Sequence, residues 1–358
     1  MKRKFIHRYL VLPAVLLLAG GCHRTDLEEG TAEEIRFQVS EEWQSGNDTR
    51  AFVVSSAGDL IPKGILINAY VSGTTTPYIS DAQVAYDGGS DEWRFYQLGV
   101  GYVRYYWPNE GSLDFAAYTP YNLTSTYVSI DTYTAAGGPA FTCSALPVTS
   151  AGQSSVREFL YAYETGKNKA ADASTGVTLE FHHPFAKLTL QLNASHWAVH
   201  SLNTITFKNI KNNGSFTHGS SPQWSTSGVN QDLVITLNQA VAKNTVLSAD
   251  QLSIMGIPFV VIPQSYTAAN QIEVTITWAD GWAPKTYTFA NPISEWIAGK
   301  HYTYTLTLND NIGFVVTVED WDSDHENSRT FTFGETINTG VTVSDWDDDD
   351  PYVNLEIE

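Results

Sequence analysis

Carboxylates are the side chains whose spacing first suggests chemistry. Asp320, Asp322, Asp324 and Glu326 occupy alternate positions, and Asp345 with Asp347 to Asp350 forms a denser group. Hard oxygen ligands so spaced are the raw material of a calcium site. The glycine that lets an EF-hand loop turn is missing, however, and Trp321 and Trp346 sit among the acids. On a strand, alternate carboxylates point to one side without converging. A calcium site at Asp320, Asp322 and Asp324 is therefore disfavoured against a solvated acidic loop, and no metal is expected. Imidazoles do no better. His182 and His183 are adjacent and face opposite sides of any strand; His196 and His200 lack a helical pattern to align them. Cys143, between Thr142 and Ser144, has no local His or Asp and reads as a small strand residue. No nucleophile elbow, phosphate-binding glycine loop or placed acid–base pair occurs. The expectation is a protein that is not an enzyme and needs no cofactor.

The elements that carry these residues follow from composition. The chain has 358 residues, 42% hydrophobic, with 13% aromatic and only two Met. Enough apolar material is present for a core, and the aromatic and β-branched surplus favours strands. Twenty Lys and Arg stand against 39 Asp and Glu, a net charge of −19. Such a chain is repelled by phosphate backbones, which argues against a nucleic-acid partner.

The first residues read as an export signal. Lys2, Arg3, Lys4 and Arg8 precede an apolar run from Val11 to Leu18, then Ala19, Gly20, Gly21 and Cys22. The run is too short to span a bilayer comfortably. Small residues directly before a Cys resemble a bacterial lipoprotein signal, in which the Cys22 thiol is acylated and becomes the new N-terminus. Lipid would hold the body on a membrane surface. Losing residues 1–21 removes four basic and no acidic side chains and takes the charge from −19 to −23.

Residues 23–34 are polar and acidic, like a tether. Ile35-Arg36-Phe37-Gln38-Val39 alternates and predicts a first strand. Short alternating runs recur from Ala51, among them Gly64–Val71, Trp93–Leu98, Tyr102–Trp107 and Leu113–Tyr118. Thr165–Ser174 is small and polar and reads as a linker. A second set follows: Val177–Phe181, Ala186–Leu192, Leu202–Phe207, Asp232–Leu237, Phe259–Pro263, Gln271–Trp278, Lys285–Phe289 and His301–Leu308. Asn213-Gly214 and Asp280-Gly281 predict hairpin turns. Helix is confined to a turn at Ser154–Arg157 or Ala249–Met255. Many short strands with frequent turns predict all-β sandwiches. Near the end, Val316-Thr317-Val318-Glu319-Asp320-Trp321 recurs 25 positions later around Asp345-Trp346. The chain closes on Tyr352-Val353-Asn354-Leu355-Glu356-Ile357-Glu358, with Val353, Leu355 and Ile357 on one face.

Several segments together resemble the fimbrillin family of Bacteroidales, the Mfa-like and FimA-like pilins. Tyr105-Tyr106-Trp107-Pro108 with Leu113 to Pro120 is similar to the family's aromatic signature. Phe159-Leu160-Tyr161-Ala162 with Phe181-His182-His183-Pro184-Phe185-Ala186-Lys187-Leu188 resembles its central segment. Trp296 to Leu306 resembles its late "GKxYxYxL" strand, and Val316 to Trp321 its closing strand.

The resemblance implies two tandem transthyretin-like β-sandwiches behind a lipoprotein signal peptide, a cell-surface fimbria and an outer-membrane lipid anchor at Cys22. The implied division is a signal peptide at 1–21, a lipidated tether with a removable strand at 22–50, sandwiches at 51–170 and 171–325, and an acidic tail at 326–358. In polymerising members an Arg-specific protease removes the first strand, and a strand from the next pilin subunit fills the groove by β-augmentation. Arg50-Ala51 is the candidate cleavage point here; Arg36 is a poorer one, lying within the strand. The candidate donor is Tyr352, Val353, Leu355 and Ile357, with Arg329–Phe333 and Gly340–Val343 as alternatives. The second functional reading is a tip or accessory adhesin for a host or bacterial surface ligand, glycan or protein, with Trp224, Trp278, Trp282 and Trp296 available to stack on sugars, or an anchor subunit that keeps its lipid.

Overall fold

The computed structural model describes residues 32–39, 63–194, 199–241, 245–247, 258–278, 283–308, 312–321 and 329–331. The described residues form an all-β, sandwich-type fold with two single-turn helices. The first sheet holds β1 (Phe37–Val39), β2 (Ile65–Val71), β3 (Pro77–Asp87), β4 (Glu92–Gln97), β5 (Gly101–Tyr102), β6 (Leu113–Thr119), β9 (Leu160–Lys167) and β10 (Val177–Leu179). Between β6 and β9 lie β7 (Val128–Ile130) and β8 (Ala140–Cys143). The spatial order is β10-β1-β4-β3-β2-β6-β9, with β5 beside β4. The sheet curls until its ends meet, and Tyr161 and His182 exchange two backbone hydrogen bonds of 3.2 and 2.8 Å. Its inner face wraps a core of Ile35, Phe37, Phe95, Trp107, Phe115 and their neighbours.

The other face of the same sheet is buried too. Leu66, Ala116, Tyr118, Phe159 and Tyr161 meet a second, four-stranded sheet of β7, β8, Asn213–Thr217 and Gln223–Ser227. Strand β6 is consequently buried at every position, which explains why its sequence, Leu-Asp-Phe-Ala-Ala-Tyr-Thr, has no polar face. Its one carboxylate, Asp114, is satisfied locally. Ser72 Oγ donates to it at 2.6 Å, the Gly166 N–H at 2.8 Å, and the Gly73 N–H and Tyr133 hydroxyl at 3.3 Å. Asp114→Ala would remove the shared acceptor of four donors, of which the Tyr133 hydroxyl keeps Tyr163. It is expected to cost about 3 kcal/mol in urea denaturation, with Asp114→Asn costing less.

The C-terminal core lies between two further sheets. In one, Ala186–Ala194 runs parallel to Lys300–Leu308, which pairs antiparallel with Ile312–Asp320. In the other, Gln231–Val241, Val199–Ile210, Gln271–Trp278 and Lys285–Ala290 lie side by side. The alternation of Lys300–Leu308 does its expected work: Tyr302, Tyr304, Leu306 and Leu308 point inward.

Three local expectations change. Asn213-Gly214 is not a hairpin turn but part of a strand, because Gly214 lets backbone and ring approach. A Cβ there would stand 3.1 Å from the Ser225 carbonyl oxygen and 3.2 Å from the Trp224 ring. Val177–Leu179 pairs within the first sheet, beyond the linker read at 165–174. The helical turns fall at Ser150–Gln153, capped by Thr149, and Lys169–Asp172, capped by Asn168, where a side-chain oxygen accepts from a backbone N–H of the first turn; Ala249–Met255 lies outside the described residues.

Cys143 is fully buried, and burial pushes its thiol up to about 12. It is expected to resist thiol reagents at pH 8 until the chain unfolds. An exposed thiol ionises near 9.0. The neutral buried form therefore favours the fold fully below that pH, and its contribution is lost as pH climbs from 9 towards 12.

Candidate assembly groove

The first strand is the element whose placement suggests function. It is held on both sides. On one side it runs parallel to β10, with Phe37 opposite Val177 and Val39 opposite Leu179. On the other it is antiparallel to β4 and to the segment after β5. The Ile35 N–H donates to the Tyr105 carbonyl at 2.8 Å, and the Trp107 N–H donates to the Glu33 carbonyl at 3.0 Å. The Val177 N–H donates to the Arg36 carbonyl at 2.8 Å. Gly176, at φ +85°, allows that approach, since a Cβ would meet the Arg36 carbonyl oxygen at 3.2 Å.

Alternation divides the strand into two faces. Ile35 and Phe37 are 1% and 3% exposed, and Val39 packs at the rim. The Phe37 ring stands edge-on to Phe95 at 5.2 Å and to Phe115 at 5.7 Å. Burying such side chains contributes about 1.5–3 kcal/mol each. The outer face carries charge. Glu34 lies 3.7 Å from Arg94 and 3.6 Å from Arg104, and Arg36 lies 3.4 Å from Glu92. Arg94 also holds Asp87 at 3.3 Å. Without this strand the sheet would present apolar pockets at Trp93, Phe95, Trp107 and Phe115, two rows of unpaired backbone groups, and two arginines without Glu34. Such an edge invites another strand.

Arg36 lies inside the paired segment. Cys22, Arg50, Ala51, Asp322, Asp324, Tyr352, Val353, Leu355 and Ile357 lie outside the described residues. Asp320 ends the Ile312–Asp320 strand, opposite Lys300. Among the described residues no group of three or more His, Cys, Asp or Glu is placed to hold a metal. Of the alternative donors, Arg329–Phe331 pairs with Ile312–Asp320 at the margin of the chain's own sheet. Of the tryptophans considered for sugar stacking, one is a core residue, one packs against a core, and Trp282 lies outside the described residues. Trp296 is buried against Phe207 and Tyr266, and half-buried Trp224 donates its indole N–H to the Pro184 carbonyl. The clasp of Glu34 by Arg94 and Arg104 has no counterpart in the sequence reading; its only sequence signal is alternating charge on the polar face of the first strand.

A second cluster ties the two halves together. Trp321 stacks on His183 at 4.2 Å and 10°, with Lys187 Nζ 5.8 Å from its ring. His183 Nδ1 lies 2.6 Å from Glu158 Oε1, both side chains nearly inaccessible. The Trp321 N–H donates to the Gly299 carbonyl at 2.9 Å, and the Gly299 N–H donates to the Phe185 carbonyl at 2.8 Å. Gly299 has φ +69°, a left-handed conformation that accounts for a glycine in this motif.

The geometry defines a class of fold: an all-β body whose first strand is held between two others of one sheet. The fimbrillin-like family model matches residues 36–321, from the inserted strand to Trp321, and the chain belongs to that family. It is accordingly a structural, cell-surface subunit of the fimbrial and adhesion class. The fold is similar to that of a candidate cell adhesion protein of Bacteroides ovatus, with TM-score 0.52 and 18% identity over 81% of this chain and 98% of that one. A candidate cell adhesion protein of Bacteroides uniformis gives TM-score 0.51 and 16% identity over 81% and 99%. The tip fimbrial protein Mfa3 of Porphyromonas gingivalis, with C-terminal truncation, superposes more loosely, at TM-score 0.36 and 11% identity over 72% and 94%. No curated protein matches the sequence.

Proposed function

We propose that the chain is a structural subunit of a fimbria assembled by donor-strand addition. It is exported as an outer-membrane lipoprotein acylated at Cys22. Cleavage between Arg50 and Ala51 releases the first strand with the tether and lipid. The C-terminal segment of another copy, Tyr352 to Ile357, then fills the vacated groove. The division into sandwiches at 51–170 and 171–325 with a tail at 326–358 belongs to the same reading, except that Val177–Leu179 pairs within the first sheet. One observation carries it: Ile35 and Phe37 are core residues on a strand that follows the tether and is inserted between two others. Its loss would expose both a core and a hydrogen-bonding edge, and covering them again drives association. N-terminal sequencing of subunits taken from assembled fimbriae tests the reading. Subunits starting at Ala51 support it; subunits starting at Cys22 overturn the processing step.

A further inference from the structure

The charges around the first strand specify what can replace it, and this deepening rests on the donor-strand reading above. With the strand gone, Arg94 and Arg104 lose Glu34, and Glu92 loses Arg36. The groove then asks for four things in sequence: an acid at the place of Glu34, an apolar side chain at Ile35, no acid at Arg36, and an apolar side chain at Phe37. The tail from Glu319 to Glu358, with 13 acidic residues and one basic, matches the sign of the arginine pair.

Most registers of the terminal segment fail this pattern. Running in the direction of the first strand, Val353 at the Ile35 pocket puts Tyr352 on the arginines. Leu355 at that pocket puts Glu356 against Glu92. Ile357 at that pocket puts Glu358 against Glu92. Val353 at the Phe37 pocket puts Asp350 on the arginines but forces Pro351 into the place of Ile35. Proline cannot supply the N–H that Ile35 gives the Tyr105 carbonyl. In the opposite direction, Ile357 at the Ile35 pocket again sets Glu356 against Glu92, and Val353 there puts Asn354 on the arginines and Pro351 in the place of Phe37. One register remains: Glu356, Leu355, Asn354 and Val353 take the places of Glu34, Ile35, Arg36 and Phe37. We infer that the groove receives the C-terminal segment of a second copy running opposite to the first strand, with Glu356 clasped by Arg94 and Arg104.

The test is a charge exchange in the full-length protein, processed with an Arg-specific protease, with polymer yield measured at limiting concentration. Arg104→Glu is expected to lower the yield about three- to tenfold. Glu356→Lys in that background is expected to restore it, and Glu358→Lys is not. Thermal melting of the uncut chain controls for folding; Arg104 is 61% exposed, and Arg104→Gln replaces Arg104→Glu if the uncut fold is weakened. Rescue by Glu358→Lys or Asp350→Lys overturns the register. A yield indifferent to Arg104 overturns the clasp while the donor reading stands. Unimpaired polymer after deletion of residues 350–358 shows that the donor reading itself has failed.

Discussion

Phe37→Ala is expected to lower the stability of the uncut, full-length protein by about 3–5 kcal/mol. The ring is 3% exposed and edge-packed on Phe95 and Phe115. Truncation removes an aromatic side chain from a site whose walls are other strands of the same sheet, and those walls are tied by backbone ladders that limit collapse. The expected cost is therefore a transfer loss plus a cavity. Urea denaturation followed by tryptophan fluorescence reads it, with Trp93 and Trp107 beside the first strand as reporters. A loss below about 1 kcal/mol would mean that the first strand is a surface addition and that its removal leaves no groove. Arg36→Ala, on the solvent face and half exposed, is expected to cost no more than about 1 kcal/mol. The contrast between neighbouring positions separates the loss of core from the loss of a strand.

Trp321→Ala is expected to cost a similar 3–5 kcal/mol for a different reason. Trp321 covers His183, and with it Glu158, whose Oε1 lies 2.6 Å from His183 Nδ1. Removing the indole opens a large cavity and lets water reach a pair that is now shielded. Trp321→Phe is expected to keep most of the stability. The indole N–H has no hydrogen-bond partner among the described residues, so the aromatic surface carries the contribution. Equal losses for Ala and Phe in the same denaturation experiment would refute that division. The Trp321 ring stacks on His183 in the segment after β10 while its backbone N–H donates to the Gly299 carbonyl in the turn before Lys300–Leu308, so loss of the ring is also expected to loosen the contact between the two halves.

How much of this was legible beforehand depends on how far each residue's environment is local. Ile35, Phe37 and Val39 alternate with polar neighbours, and so do Tyr302, Tyr304, Leu306 and Leu308; a period of two announces a strand with one buried face. Strand β6 is harder, since both of its faces are covered and no polar face remains. Gly214 misleads, because a glycine serves a turn and a close approach equally well, and only the Trp224 ring above it tells which. The pairing of Phe37 with Val177 spans most of the first half of the chain and leaves no mark at either position. The candidate site is split in the same way. Its strand and its apolar face are written in local alternation. Its clasp is not, because Glu34, Arg94 and Arg104 become neighbours only once the sheet has curled. The acidity of the chain is likewise not uniform: 13 of its 39 acidic residues lie from Glu319 to Glu358, and the groove's outer rim carries Arg94 and Arg104.

The central claim is that the first strand occupies a site that another subunit's strand is built to fill. The direct measurement is to treat the purified full-length protein with an Arg-specific protease and follow sedimentation and electron microscopy, with mass spectrometry of the products. The expected result is filaments whose subunits begin at Ala51 and no longer contain residues 32–39. Cleaved protein that stays monomeric with residues 32–39 still bound, or filaments formed from uncut chains, would contradict the account.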